Sequence, residues 1–136
     1  MPPTPPDLQV HADAIIAALQ GAGLVVGDGI APDPPPADGL YVVLYTDPGQ
    51  VLSESLADQR TNLAVGFQLT CVGPVAARVR WLVHTCRTAL FPPLTIEGRA
   101  AWRAEELGGP PMQRDRDVTP AVFYQPVQYR LQTTTS

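Results

Sequence analysis

LAVGFQLTCV, residues 63–72, decides the fold. Leu63, Val65, Phe67, Leu69 and Cys71 alternate with Ala64, Gly66, Gln68 and Thr70, so one face is apolar and the other small or polar. A period of two is a strand signature. It also argues against a membrane span for the uncharged run 61–77, which Gln68, Gly73 and Pro74 interrupt. Gly73 and Pro74 end the strand, and Pro74 suits the first position of a helix, where an N–H is not needed. The helix shows an apolar stripe of Val75, Val79, Leu82, Val83, Cys86 and Leu90 at steps of three and four. Arg78, His84 and Arg87 lie largely off that stripe.

Working outward, LYVVLYT (40–46) is rich in β-branched and aromatic residues and reads as a buried strand. DPG at 47–49 turns the chain. Residues 50–62 are polar with a few apolar positions and fit either a hairpin arm or a mobile loop. Upstream, Asp7 can cap a helix running to Gln20, with Leu8, Ala12, Ile15, Ile16 and Leu19 on one face. Gly21 and Gly23 stop it. A short strand, 24–26, precedes the aperiodic loop GDGIAPDPPPADG. Downstream, FPP ends the second helix, 94–98 reads as a short strand, and 99–107 as its partner or a turn of helix. The last strand spans 122–132, with Phe123, Val127, Tyr129 and Leu131 on one face. Pro126 cannot donate a ladder bond, which predicts an edge strand or a bulge there. The first six residues and the tail, 133–136, have nothing to bury and are expected to be flexible. The chain therefore reads as one α+β domain of 136 residues, a mostly antiparallel sheet with two helices on one face.

Composition narrows the function classes. The net charge of −4 argues against a nucleic-acid surface, which needs a basic excess. All nine basic residues are Arg, the cation suited to bidentate carboxylate contacts. Cys71 and Cys86 can form one disulfide, but buried free thiols are the favoured reading, and with His11 and His84 they complete no metal motif. The start lacks the basic and apolar regions of a secretory signal, so the expected place of synthesis is the cytoplasm.

The search for chemistry returns little. No nucleophile elbow, phosphate loop, dinucleotide fingerprint or zinc-protease motif occurs. His11 and His84 are single helical histidines, the type that is structural far more often than catalytic. Ser53 and Ser55 have no base assigned by any motif. Glu105 and Glu106 are adjacent and point different ways. Trp81 and Trp102 read as core or interface anchors before they read as binding platforms. No catalytic residue, cofactor or metal is expected. The remaining feature is RDRD, Arg114, Asp115, Arg116 and Asp117. On an extended chain the arginines point one way and the aspartates the other. As a solvated loop it contributes little, since surface ion pairs are worth roughly 0–1 kcal/mol. Between subunits the same groups fix register and reject wrong partners.

Five segments, taken in order, resemble the tail terminator proteins of long-tailed, siphovirus-type phages of actinobacteria. They are HADAIIAALQGAGLVVGDG, YVVLYTDPGQ, LADQRTNLAVGFQLTCVG, RVRWLVHTCRTAL and RDRDVTPAVFYQPVQYRL, and the resemblance extends over nearly the whole chain, from about residue 8 to 132. The resemblance implies a hexameric ring that caps the tail tube, ends its polymerisation and presents a surface to the head connector. It implies a virion protein at the tail–neck junction, assembled in the host bacterial cytoplasm, with no catalytic site and no membrane. DNA would pass through the ring without being specifically bound. It also implies contact roles for Asp58, Gln59 and Arg60 in the polar arm, which would order on assembly, and for Arg114, Asp115, Arg116 and Asp117. Another head–tail joining protein, a stopper or tail-completion factor, is the nearest alternative. A small enzyme with an unrecognised site is the more distant one. The proline-rich 32–36 loop and the MPPTPP start match no feature of the family.

Overall fold

The computed structural model describes residues 5–52 and 61–135. Its elements, in chain order, are α1 (Leu8–Gly21), β1 (Val26–Asp28), β2 (Tyr41–Thr46), β3 (Gln50–Leu52), β4 (Asn62–Gly73), α2 (Ala76–Leu90), β5 (Arg99–Ala101), β6 (Glu105–Gly108), β7 (Gln113–Asp115) and β8 (Val122–Thr135). The result is the α+β architecture that the alternation at 63–72 implies.

α1 starts where Asp7 caps it, its carboxylate accepting from the Gln9 N–H at 2.8 Å. It ends where Gly23, at φ +84°, takes a left-handed conformation that other residues avoid. α2 starts later than the sequence implies. Pro74 precedes the N-cap, Val75, instead of occupying the first helical position. Gly73 still pairs with Phe123 in the sheet, so residues 74 and 75 are spent turning the chain. Val75 consequently drops out of the buried stripe, which is Val79, Leu82, Cys86 and Leu90.

The sheet runs β1-β2-β4-β8-β5, with β3 also on β4 and β6 and β7 also on β8. All pairs are antiparallel except β1 with β2. A parallel neighbour needs a long return connection. The proline-rich loop between Asp28 and Tyr41 supplies it, which gives that segment a structural role. β4 and β8 form the backbone of the sheet, paired from Asn62↔Thr134 to Gly73↔Phe123. Both helices lie on the same face, where Ala12, Ile15, Leu19, Val79, Leu82 and Leu90 pack with Leu44, Phe67, Leu69 and Leu131. Phe67 and Tyr129, directly opposite in the register, stack with centroids 5.1 Å apart. Cys71 on β4 faces Cys86 on α2 with sulfurs 4.0 Å apart, and both are free thiols.

β8 is not an edge strand. It is flanked by β4 on one side and by β5, β6 and β7 on the other. Pro126 lies opposite Thr70 of β4, but on the other side of β8 it falls between the stretches paired with β6 (128–130) and β7 (122–124), so no ladder bond is required of it there. The crossing chain comes very close here: a Cβ on Gly109 would run into the Pro126 carbonyl. The tail is not free either. β8 continues to Thr135, and the Thr133 side chain is completely buried. Residues 94–98 form no strand; a single bridge, Ile96↔Arg99, closes a turn there. Residues 99–107 instead supply β5 and most of β6, both pairing with β8.

The buried ionisable groups make stability sensitive to alkali. Burial, then the nearby Glu106 carboxylate, raises the Tyr129 phenol well above its usual value. The hydrogen bond with Cys86, then burial, raises the Cys71 thiol. Both groups are neutral when protonated, and the folded state holds those protons more tightly than the unfolded state. Stability is therefore full below about pH 8–9 and falls as the unfolded chain ionises, about pH 8.5 for thiol and 10 for phenol. The expected result is a urea midpoint that declines between pH 8 and 11. Tyr129→Phe should flatten the part above pH 10, and an unchanged slope in that variant would refute the assignment.

Candidate functional site

The RDRD run lies at the outer edge of the sheet. Arg114 and Asp115 belong to β7, opposite Phe123 and Val122 of β8. The alternation then breaks. The Asp117 N–H donates to the Asp115 carboxylate at 3.0 Å, which bends the chain away from the strand. Only the first two of the four residues therefore have the strand geometry expected of all four. Arg114 lies over the Phe123 ring, 5.8 Å from its centroid, and both arginines are exposed. Among the described residues neither Arg114 nor Arg116 is in an ion pair. Two guanidinium groups thus project from the sheet edge towards solvent. Asp58, Gln59 and Arg60 lie outside the described residues. Their flanks, β3 and the start of β4, pair as the two arms of a hairpin, with Leu52 opposite Asn62.

Other candidates resolve into structural roles. His11 is fully buried. Its Nδ1 meets the Asp7 carbonyl at 2.7 Å and so carries the proton. Its Nε2 accepts from the Thr133 hydroxyl at 2.8 Å. Arg99 donates to the same hydroxyl and to the Thr133 carbonyl, and reaches Thr61 as well. A cavity of about 340 Å³ opens beside this group, lined by Pro6, Val10, His11, Thr61 and Arg99 among others. The polar groups are turned to one another, which makes the cluster a clamp joining α1, β5 and β8. Thr133→Val, nearly the same in volume, leaves the buried His11 nitrogen without its donor. It should lower the unfolding free energy by about 1–3 kcal/mol in urea titration; a change below about 0.3 kcal/mol would refute the clamp.

Glu106 is held by Arg87 in a bidentate pair, 2.9 and 3.1 Å, and accepts from the Tyr129 hydroxyl at 3.3 Å. It is committed to tying β6 to α2, and Glu105 does not join it. Trp81 and Trp102 are half exposed, so neither is a core residue. Sequence reasoning did not single out Phe91, which is equally exposed and carries the Arg103 guanidinium 3.8 Å above its ring. The signal was present, since Phe91 follows the last buried residue of the α2 stripe. Among the described residues no group of three or more His, Cys, Asp or Glu is placed to hold a metal ion, and no helix is long and apolar enough to cross a membrane. What the described surface offers is exposed arginine and aromatic side chains, residue types enriched at protein–protein interfaces in general.

A chain from the virion of a native gene transfer agent particle has this fold. It is 21% identical, the match covers 93% of this chain and 89% of that one, and the TM-score is 0.56. A second solved structure, whose name states no activity, is 24% identical, with 90% and 94% covered and a TM-score of 0.53. No family model matches the chain, and no curated protein matches it. At these identities the likeness establishes a common fold along nearly the full length of all three chains.

Proposed function

We propose that this chain is a virion structural protein that caps the end of a phage tail tube as a hexameric ring, ends tube polymerisation and joins the tail to the head connector. The observation that carries this reading is the fold shared, end to end, with a chain of a gene transfer agent virion. The five segments resembling tail terminators point the same way. The surface is compatible with it: Arg114 and Arg116 are exposed at and just beyond an edge strand, and Trp81, Phe91 and Trp102 are exposed aromatics of the kind found at interfaces. A heterologous contact repeated with the right rotation closes into a ring, so one pair of surfaces per subunit suffices.

Particles produced without this chain test the reading. A missing cap leaves tubes of irregular, extended length that do not join heads, visible by negative-stain microscopy. Tubes of normal length joined to heads would overturn it. Tubes of normal length without heads would instead assign the chain to the stopper or completion role.

A further inference from the structure

Charge is distributed unevenly along this chain. No Lys or Arg occurs before Arg60, while eight Asp or Glu precede it, from Asp7 to Asp58. Three of these, Asp28, Asp33 and Asp38, sit exposed at the end of β1 and in the proline-rich loop that follows. Ile30, in the same loop, is 74% exposed, the highest value among the large apolar side chains of the described residues. α2 is the counterpart. It contains Arg78, Arg80 and Arg87 and no acidic residue. Arg80, His84, Arg87 and Phe91 follow one another at steps of four, three and four, which places them on one helix face. Arg87 is paired with Glu106 and Arg103 covers the Phe91 ring, so Arg78, Arg80 and Trp81 are the groups left to meet a partner. Trp81 stands beside them, 47% exposed, with the Arg78 guanidinium 5.3 Å from its ring centroid.

We propose that the acidic proline-rich loop of one copy docks on the arginine–tryptophan face of α2 in the next copy. This rests on the ring reading and adds a second contact between copies, beside the edge that carries Arg114 and Arg116. The loop offers carboxylates, prolines and an apolar Ile30; the helix offers guanidinium groups, which pair with carboxylates, and aromatic faces, on which prolines stack. Trp and Arg are also the residues that dominate interface energetics. The two surfaces differ, so the contact is head-to-tail and can close a ring. Duplex DNA is the other polyanion such a helix could meet. The net charge of −4 and the three exposed aspartates of the loop disfavour it.

A charge-swap pair tests the docking with the full-length chain. Asp28→Arg with Asp33→Arg makes both surfaces basic; Arg78→Glu with Arg80→Glu makes both acidic. None of the four side chains accepts or donates a hydrogen bond among the described residues that holds the fold. Glutamates near the start of α2 also suit the helix dipole, so this variant should keep or raise its melting temperature. Self-association is read from the concentration dependence of the sedimentation coefficient in 50 mM salt. The unmodified chain should show net attraction that weakens in 0.5 M salt, where screening is strong. Each variant alone should show at least tenfold weaker association, and their equimolar mixture should recover the unmodified behaviour. Asp28→Asn with Asp33→Asn should fall between. A mixture no more associated than the separate variants, or attraction indifferent to salt, overturns the proposal. So does duplex DNA bound by the unmodified chain and lost in Arg78→Glu with Arg80→Glu while association is unchanged. A ring on tails built from other surfaces would likewise overturn the docking but leave the ring reading standing.

Discussion

Phe67→Ala is expected to lower the unfolding free energy by about 3–5 kcal/mol, the largest effect of any single truncation considered. Phe67 is buried at the centre of β4, the strand that pairs with β2, β3 and β8. Its ring stacks on Tyr129 at 5.1 Å with planes only 8° apart, so the substitution removes both the apolar area and the aromatic pairing. The surrounding groups cannot collapse into the space easily. Tyr129 is tied through its hydroxyl to Glu106, Leu69 is held by the ladder on both sides, and Val65 is paired with Leu131. For a domain of this length the loss corresponds to a fall in melting temperature of about 10–20 °C. Phe67→Leu retains more volume and should cost less. A midpoint for Phe67→Ala within about 3 °C of the unmodified chain would show that the core is organised elsewhere.

Arg114→Glu with Arg116→Glu has the opposite profile: a large loss of assembly with little change in the subunit. Both arginines are exposed at the sheet edge, and the contact of Arg114 with Phe123, at 5.8 Å, is worth at most about 0.5–1 kcal/mol at such a site. The melting temperature of the monomer should therefore shift by no more than a few degrees. In a ring the same change recurs at every interface. A loss of about 1 kcal/mol at each of six contacts compounds to about 6 kcal/mol for the closed particle, and reversal of sign adds repulsion to lost attraction. Assembly onto tails, measured as the fraction of subunit that co-sediments with tubes, should fall at least tenfold. A strongly destabilised monomer would mean the arginines serve the fold. Normal co-sedimentation would remove them from the interface.

The parts of the fold that were legible in the sequence are those with a period. The alternation at 63–72 and the stripe on α2 each span several turns of their pattern; the strand appears where expected, and the helix does too apart from its later start, which leaves Val75 outside the stripe. The parts that were not legible are short or depend on distant partners. β5, β6 and β7 have three or four residues each, too few for alternation to register, and they exist because β8 offers a long open side. Pro126 misleads for the same reason: its tolerance inside the sheet depends on a gap between two strands that could not be seen. Thr133 looked like solvated tail because threonine is polar. Its burial depends on His11, 122 positions away, and Arg99, 34 away. Of the candidate site, the sequence pointed to Arg114 and Arg116 as paired arginines. It could not show that Asp117 turns back on Asp115 and leaves the arginines facing outward.

The central claim is that identical copies of this chain close a ring at the end of a tail tube. Electron microscopy of the intact particle, with symmetry determined at the tube–neck junction and this fold fitted to the density, tests it directly. Six copies in one closed layer between tube and connector are expected. Density for this fold in any other copy number, or a junction that does not contain it, would contradict a hexameric ring of this chain at the tube end.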